Sequence, residues 1–94
     1  MAKIKWSKWA WKDLQTIHAF VSKDSSLYAR RLIVKLVTAV EQLEFFPYSG
    51  RIIPEKKDET IRELIVGNYR IFYKVQNPNQ VFILRVHHSA RKIK

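Results

Sequence analysis

A chain of 94 residues has room for one hydrophobic core, so residues 1–94 read as a single domain. Hydrophobic residues at 47% and aromatics at 13%, with no cysteine, exclude a disordered tail, a disulfide framework, a thiolate metal site and a cysteine nucleophile. The net charge of +10, from 18 Lys and Arg against 8 Asp and Glu, creates a long-range positive field and points to an acidic partner.

The first predicted element is a short strand at Lys3 to Trp6, where polar and apolar residues alternate, closed by Ser7 as a helix N-cap. In the helix that follows, Ala10, Leu14, Ile17 and Val21 recur at helical spacing and form one apolar stripe. SKDSS breaks it, and Asp24 or Ser25 caps a second helix whose stripe is Ala29, Leu32, Ile33, Leu36, Val40 and Leu43. Pro47 and Gly50 mark its end. Beyond a polar connection come three runs rich in β-branched and aromatic residues, IRELIV, YRIFYKV and VFILRVHH, separated by Gly67-Asn68 and by Asn77, Pro78 and Asn79. The order β-α-α-β-β-β predicts an α+β domain in which a two-helix hairpin packs on one face of a small antiparallel sheet. In the last strand, simple alternation puts Phe82, Leu84 and Val86 toward the helices and Ile83, Arg85 and His87 on the other face.

No apolar run approaches the roughly 18 residues of a membrane span, and the N-terminal stretch interleaves Lys and Asp where a signal peptide would be apolar. The expectation is a cytoplasmic protein without a membrane partner. Charge is unevenly placed. Glu63 is the last acid, so Arg70, Lys74, Arg85, Arg91, Lys92 and Lys94 have no acidic residue near them in sequence.

These segments together resemble the ParE/RelE superfamily of bacterial toxins from type II toxin-antitoxin pairs. The likeness spans nearly the whole chain. It rests on Ser7, Ala10, Asp13, Leu14, Ile17 and Val21 of the first helix, and on Leu43, Pro47, Gly50 and Arg51 around the bend in LEFFPYSGR. Its most specific part is IRELIVGNYRIFYKV followed by VFILRVHHSAR, which is similar to the family's arginine-marked strand, its tyrosine-arginine hairpin and its terminal strand ending in histidine and arginine. The resemblance implies one of two activities. ParE-like members bind DNA gyrase and trap it on DNA, and RelE-like members are ribosome-dependent endoribonucleases that cut mRNA. The wording of YRIFYKV and ILRVHHSAR is closer to the ParE-like side. The resemblance also implies a cognate antitoxin whose acidic, amphipathic C-terminal segment wraps the basic toxin.

Metal-free RNA cleavage needs a base for the 2′-hydroxyl, an acid for the leaving oxygen and cations for the phosphorane. The nuclease set is then His87, Arg62, Arg70, Arg85 and Arg91. Adjacent strand residues point to opposite faces, so only one of His87 and His88 enters a given site. On the residues alone, His88 caps the core edge and His87 lies on the surface. The six residues after His88 contain no tyrosine, which argues against a nuclease and for a non-catalytic toxin. For target binding the set is Arg51, Arg62, Arg70, Arg85, His87, Arg91 and Lys92. Arg62 is also open to a structural role, paired with Asp13 or Glu63. Trp6, Trp9 and Trp11 crowd one helical turn; Trp6 staples onto Trp11 or Ala10, and at least one ring is left exposed. Antitoxin contact is therefore expected at Trp9 and Trp11, with Arg70 and Arg85. Three histidines, none at a His-x-x-x-His spacing, predict no metal and no cofactor. A basic nucleic-acid-binding domain that acts through phosphate contacts remains the third reading.

Overall fold

The structure is a computed structural model in which residues 1–89 are described. Strand β1 (Lys3–Trp6) leads into helix α1 (Lys8–Ser22) and helix α2 (Ser26–Glu41), and a single 3-10 turn covers Gln42–Glu44. Strands β2 (Arg51–Ile52), β3 (Ile61–Val66), β4 (Tyr69–Asn77) and β5 (Gln80–His88) follow. They form one five-stranded sheet in the order β1-β5-β4-β3-β2, antiparallel except where β1 runs parallel to β5. The expected α+β architecture is therefore present, with a fifth, two-residue strand added at one edge.

Local chemistry starts each helix. The Ser7 hydroxyl accepts from the Ala10 N–H at 3.0 Å, and the Ser25 hydroxyl accepts from the Tyr28 N–H at 3.0 Å, so of the two candidate caps for α2 it is Ser25 that serves. Gly67 takes φ +58°, the left-handed region a glycine enters without a Cβ penalty, and closes a two-residue β3–β4 hairpin. The apolar stripes meet as the spacing predicts: Ala10 and Leu14 of α1 and Leu32, Leu36 and Val40 of α2 pack with Leu43 on Ile71, Tyr73, Val75, Val81, Ile83 and Val86 of the sheet. Each such aliphatic side chain taken fully out of water contributes about 1.5–3 kcal/mol.

The last strand departs from simple alternation. Tyr73 pairs with Ile83 and Phe72 with Arg85, so Leu84 is an extra residue on β5. This bulge shifts the phase. Val81 and Ile83 face the core before it and Val86 after it, whereas Phe82 and Leu84 are only half-buried. The expected core set of Phe82, Leu84 and Val86 is thus corrected to Val81, Ile83 and Val86, and Ile83 does not share a face with Arg85.

Gly50 bends the chain at the end of β2. A Cβ there would lie 2.5 Å from the Tyr73 hydroxyl and 2.6 Å from the Glu63 carbonyl oxygen, and the Gly50 N–H donates to that hydroxyl at 2.8 Å. The phenol is buried, which pushes its pKa up despite this bond, the nearby Arg62 charge and Ser49. Arg62 completes the bend by donating to the carbonyl oxygens of Tyr48 and Gly50 at 3.0 and 2.9 Å, its guanidinium 5.2 Å from the Tyr48 ring centroid. Its expected carboxylate partner, Asp13 or Glu63, is therefore replaced by backbone carbonyls.

Candidate functional site

The face of the sheet turned away from the helices gathers the strand charges. Ile65 of β3, Arg70 of β4 and His87 of β5 stand opposite one another and form a row across three strands. In the neighbouring row Glu63 stands opposite Phe72, with Arg51 of β2 on its outer side.

Glu63 organises this face. Its side chain is fully buried, a state a carboxylate tolerates only when its charge is met. Arg70 donates to Oε2 through Nε at 2.9 Å and Nη2 at 2.6 Å, and Arg51 donates through Nε to Oε1. The arginines stay in reach of solvent, with side-chain exposures of 60% for Arg51 and 21% for Arg70. Two cations around one anion leave a net positive charge on an otherwise flat surface. Phe72 forms its floor: the Arg70 guanidinium lies 5.1 Å from the ring centroid, and the His87 ring meets Phe72 edge-on at 5.7 Å.

A second ion pair sits at the β5 edge. Asp13 of α1 accepts from Arg85 Nε at 2.9 Å, from Arg85 Nη2 at 3.0 Å and from the Val86 N–H at 2.9 Å. Burial pushes its carboxyl up, but the Arg85 and Val86 hydrogen bonds and the charges of Arg85 and His87 outweigh this and hold it below the ordinary aspartate value. The same bond to Asp13 raises the pKa of Arg85. Ser7 seals the next stretch of that edge, its hydroxyl donating to the Leu84 carbonyl at 2.9 Å.

The predicted site residues are thus only partly brought together. Arg51, Arg70 and His87 share the open face. Arg62 points to the helical side and clasps the bend at Gly50, and Arg85 is tied to α1. Arg91 and Lys92 lie outside the described residues. His87, expected on the surface, is the more buried of the two histidines because its ring slots beside Phe72; His88, expected to cap the core, is exposed with its ring edge-on to Tyr69 at 5.2 Å. Trp6 and Trp11 make the expected staple, edge-on at 6.2 Å, while Trp9 and Trp11 are 54% and 55% exposed. The sequence reading did not include Glu63 among the site residues. Its signal was present: a lone acid inside an apolar strand, and the last acid in the chain.

Chemically, two solvent-reaching guanidiniums over an aromatic floor bind an anion, whether carboxylate or phosphate. Among the described residues no group of three or more His, Asp and Glu side chains is placed to hold a metal ion. Nor is any described helix long and apolar enough to cross a membrane.

The model of a protein family described as the ParE toxin of the type II toxin-antitoxin system parDE matches residues 4–93. The chain belongs to this family. This ParE-family chain is 36% identical over 92 residues to Toxin RelE2 of Caulobacter vibrioides, an alignment covering 97% of this chain and 99% of that one. Its fold is similar to that in a chromosomal ParDE system from P. aeruginosa, with a TM-score of 0.76, 22% identity and 94% and 96% of the two chains covered. It is also similar to a chain of the toxin-antitoxin complex RelBE2 from Mycobacterium tuberculosis, with a TM-score of 0.70, 20% identity and 93% and 96% covered. Both ParE and RelE names thus occur among its relatives, as expected of a member of the ParE/RelE superfamily.

Proposed function

We propose that this chain is a toxin that arrests growth by binding DNA gyrase, acts by docking and not by catalysis, and is neutralised by a cognate antitoxin with an acidic, amphipathic C-terminal segment. The observation that carries the choice is the state of Glu63. A base for the 2′-hydroxyl of RNA must be free to take a proton, and the one carboxylate buried in the open face is instead engaged by two arginines. What the face presents is an oriented pair of cations beside apolar surface, suited to docking on an acidic protein. The antitoxin reading is supported by the dispersal of Trp9, Trp11, Arg70 and Arg85. A partner touching all four has to pass from the helical side around the β5 edge to the open face, as a wrapping segment does.

One observation favours the ribonuclease reading: Arg70 stands opposite His87 in the register, a cation beside an imidazole. Two assays on the purified toxin separate the readings, inhibition of gyrase supercoiling and ribosome-dependent mRNA cleavage, each run with the wild type and with a variant carrying His87→Gln and His88→Gln. The expected result is supercoiling inhibition retained by the variant to within about threefold, and no mRNA cleavage by either protein. Cleavage by the wild type that is lost in the variant, with supercoiling untouched, replaces gyrase with the ribosome as target.

A further inference from the structure

The two edges of the sheet are treated differently. On the β5 side the ladder with β1 ends at Ile83, and the exposed backbone beyond it is closed off: the Leu84 carbonyl accepts from the Ser7 hydroxyl, and the Val86 N–H donates to Asp13. On the β3 side the ladder with β2 ends at Glu63, because Gly50 turns the chain toward Tyr73 and away from the edge. Hydrogen-bonded and non-bonded pairs alternate along an antiparallel ladder, and a two-residue turn joins Val66 to Tyr69, so the bonded pairs of β3 with β4 are those of Val66 and Leu64. The N–H and C=O of Ile65 therefore project from the sheet with no strand beside them. Its side chain is 60% exposed. Native proteins blunt a bare edge with charge, proline or a covering element, and an edge left apolar and open is a template for another strand.

We infer that the outer edge of β3 at Ile65 receives an extended acidic segment of a partner polypeptide as an added β-strand. The main chain of Ile65 supplies one donor and one acceptor, and Ile65 an apolar contact on the open face. Arg51, two-thirds exposed on the same edge and face, meets a carboxylate on the incoming strand. Charge chooses this occupant over a second copy of the chain. Pairing β3 with β3 would bring two +10 molecules together with their arginines adjacent, whereas an acidic segment is drawn to the same place.

This inference rests on the antitoxin reading above and names where and how part of such a segment docks. The probe is the product of the reading frame adjacent to this chain's gene, purified with it as a complex. Amide hydrogen exchange of the wild type is expected to show the Ile65 N–H exchanging rapidly in the free protein and slowed at least tenfold in the complex. Ile65→Pro removes that donor from the solvent side, where an edge strand accepts proline, and is expected to weaken the complex at least tenfold with the thermal midpoint of the free protein held within a few degrees. Ile65→Thr, which keeps the N–H, is expected to weaken it by less than threefold. A complex in which Ile65 exchanges as fast as in the free protein overturns strand addition and leaves the antitoxin reading standing. Failure of the wild type to bind overturns both. Protection of Ile65 in the free protein that grows with its concentration overturns the acidic occupant in favour of self-pairing.

Discussion

Asp13 shows at the scale of one residue how a carboxylate is held in its charged form. It spans from α1 to β5, closing one backbone donor and orienting one guanidinium. Its pKa is lower in the folded protein than in the unfolded chain. The contribution is therefore complete above the unfolded value, near ~3.9, and is lost as pH falls through the folded value. Asp13→Asn is expected to destabilise the protein by about 1–2 kcal/mol at neutral pH, since a charge-assisted bond is lost while Arg85 remains half in water. The gap to the parent should shrink below about pH 4, where both chains lack the charge. Urea unfolding at neutral pH and at about pH 3 checks this, and a gap independent of pH refutes it.

Among the elements, the seam between α1 and β5 depends most on a single side chain. Ser7 caps α1 through Ala10, donates its hydroxyl to Leu84, and sends its own N–H to the Ile83 carbonyl at 2.9 Å. Ser7→Ala deletes the first two and is expected to cost about 2 kcal/mol, about 1 for the cap and about 1 for the strand bond. Ser7→Thr, which keeps the hydroxyl, should recover most of it. Equilibrium unfolding of both variants is the measurement, and a loss below about 0.5 kcal/mol for the alanine variant would remove Ser7 from the seam. Both helices, their serine caps and the three long strands were legible because periodicity and capping are local signals. The bulge at Leu84 was not, because it is imposed by what Phe72 and Tyr73 require across the ladder, and no feature of VFILRVHH itself marks an extra residue. The arginine partners were equally hidden. Arg62 finds carbonyls and Glu63 finds Arg51 and Arg70 only once the bend at Gly50 has brought distant segments together, so the open face was legible as a list of cations but not as a pair held by one acid.

Across the whole molecule, the excess of ten positive charges acts before any contact forms. It concentrates an acidic partner near the surface and raises the encounter rate, an effect screened over ~10 Å at 0.1 M salt. Association with the acidic product of the adjacent reading frame should slow by about tenfold or more as sodium chloride rises from roughly 0.05 to 0.5 M, with the dissociation rate changing far less. Stopped-flow fluorescence of the exposed tryptophans, Trp9 and Trp11, follows both rates. A dissociation rate carrying most of the salt dependence contradicts steering.

The parallel pairing of β1 with β5 sets the order in which the protein can be finished. Lys3 lies beside Gln80 and Trp6 beside Ile83, so the earliest residues to be synthesised wait for nearly the last ones. Contacts so distant along the chain are slow to form, and during translation they cannot form at all until β5 has emerged. A nascent chain that ends at β4 has two helices and a hairpin, but no neighbour for β1, no Leu84 carbonyl for Ser7 and no His87 beside Phe72. The open face is thus completed only when translation is, and an interrupted synthesis yields a fragment without it. For a polypeptide harmful to the cell that makes it, this arrangement withholds the docking surface until release, the stage at which a partner already folded and waiting can cover it.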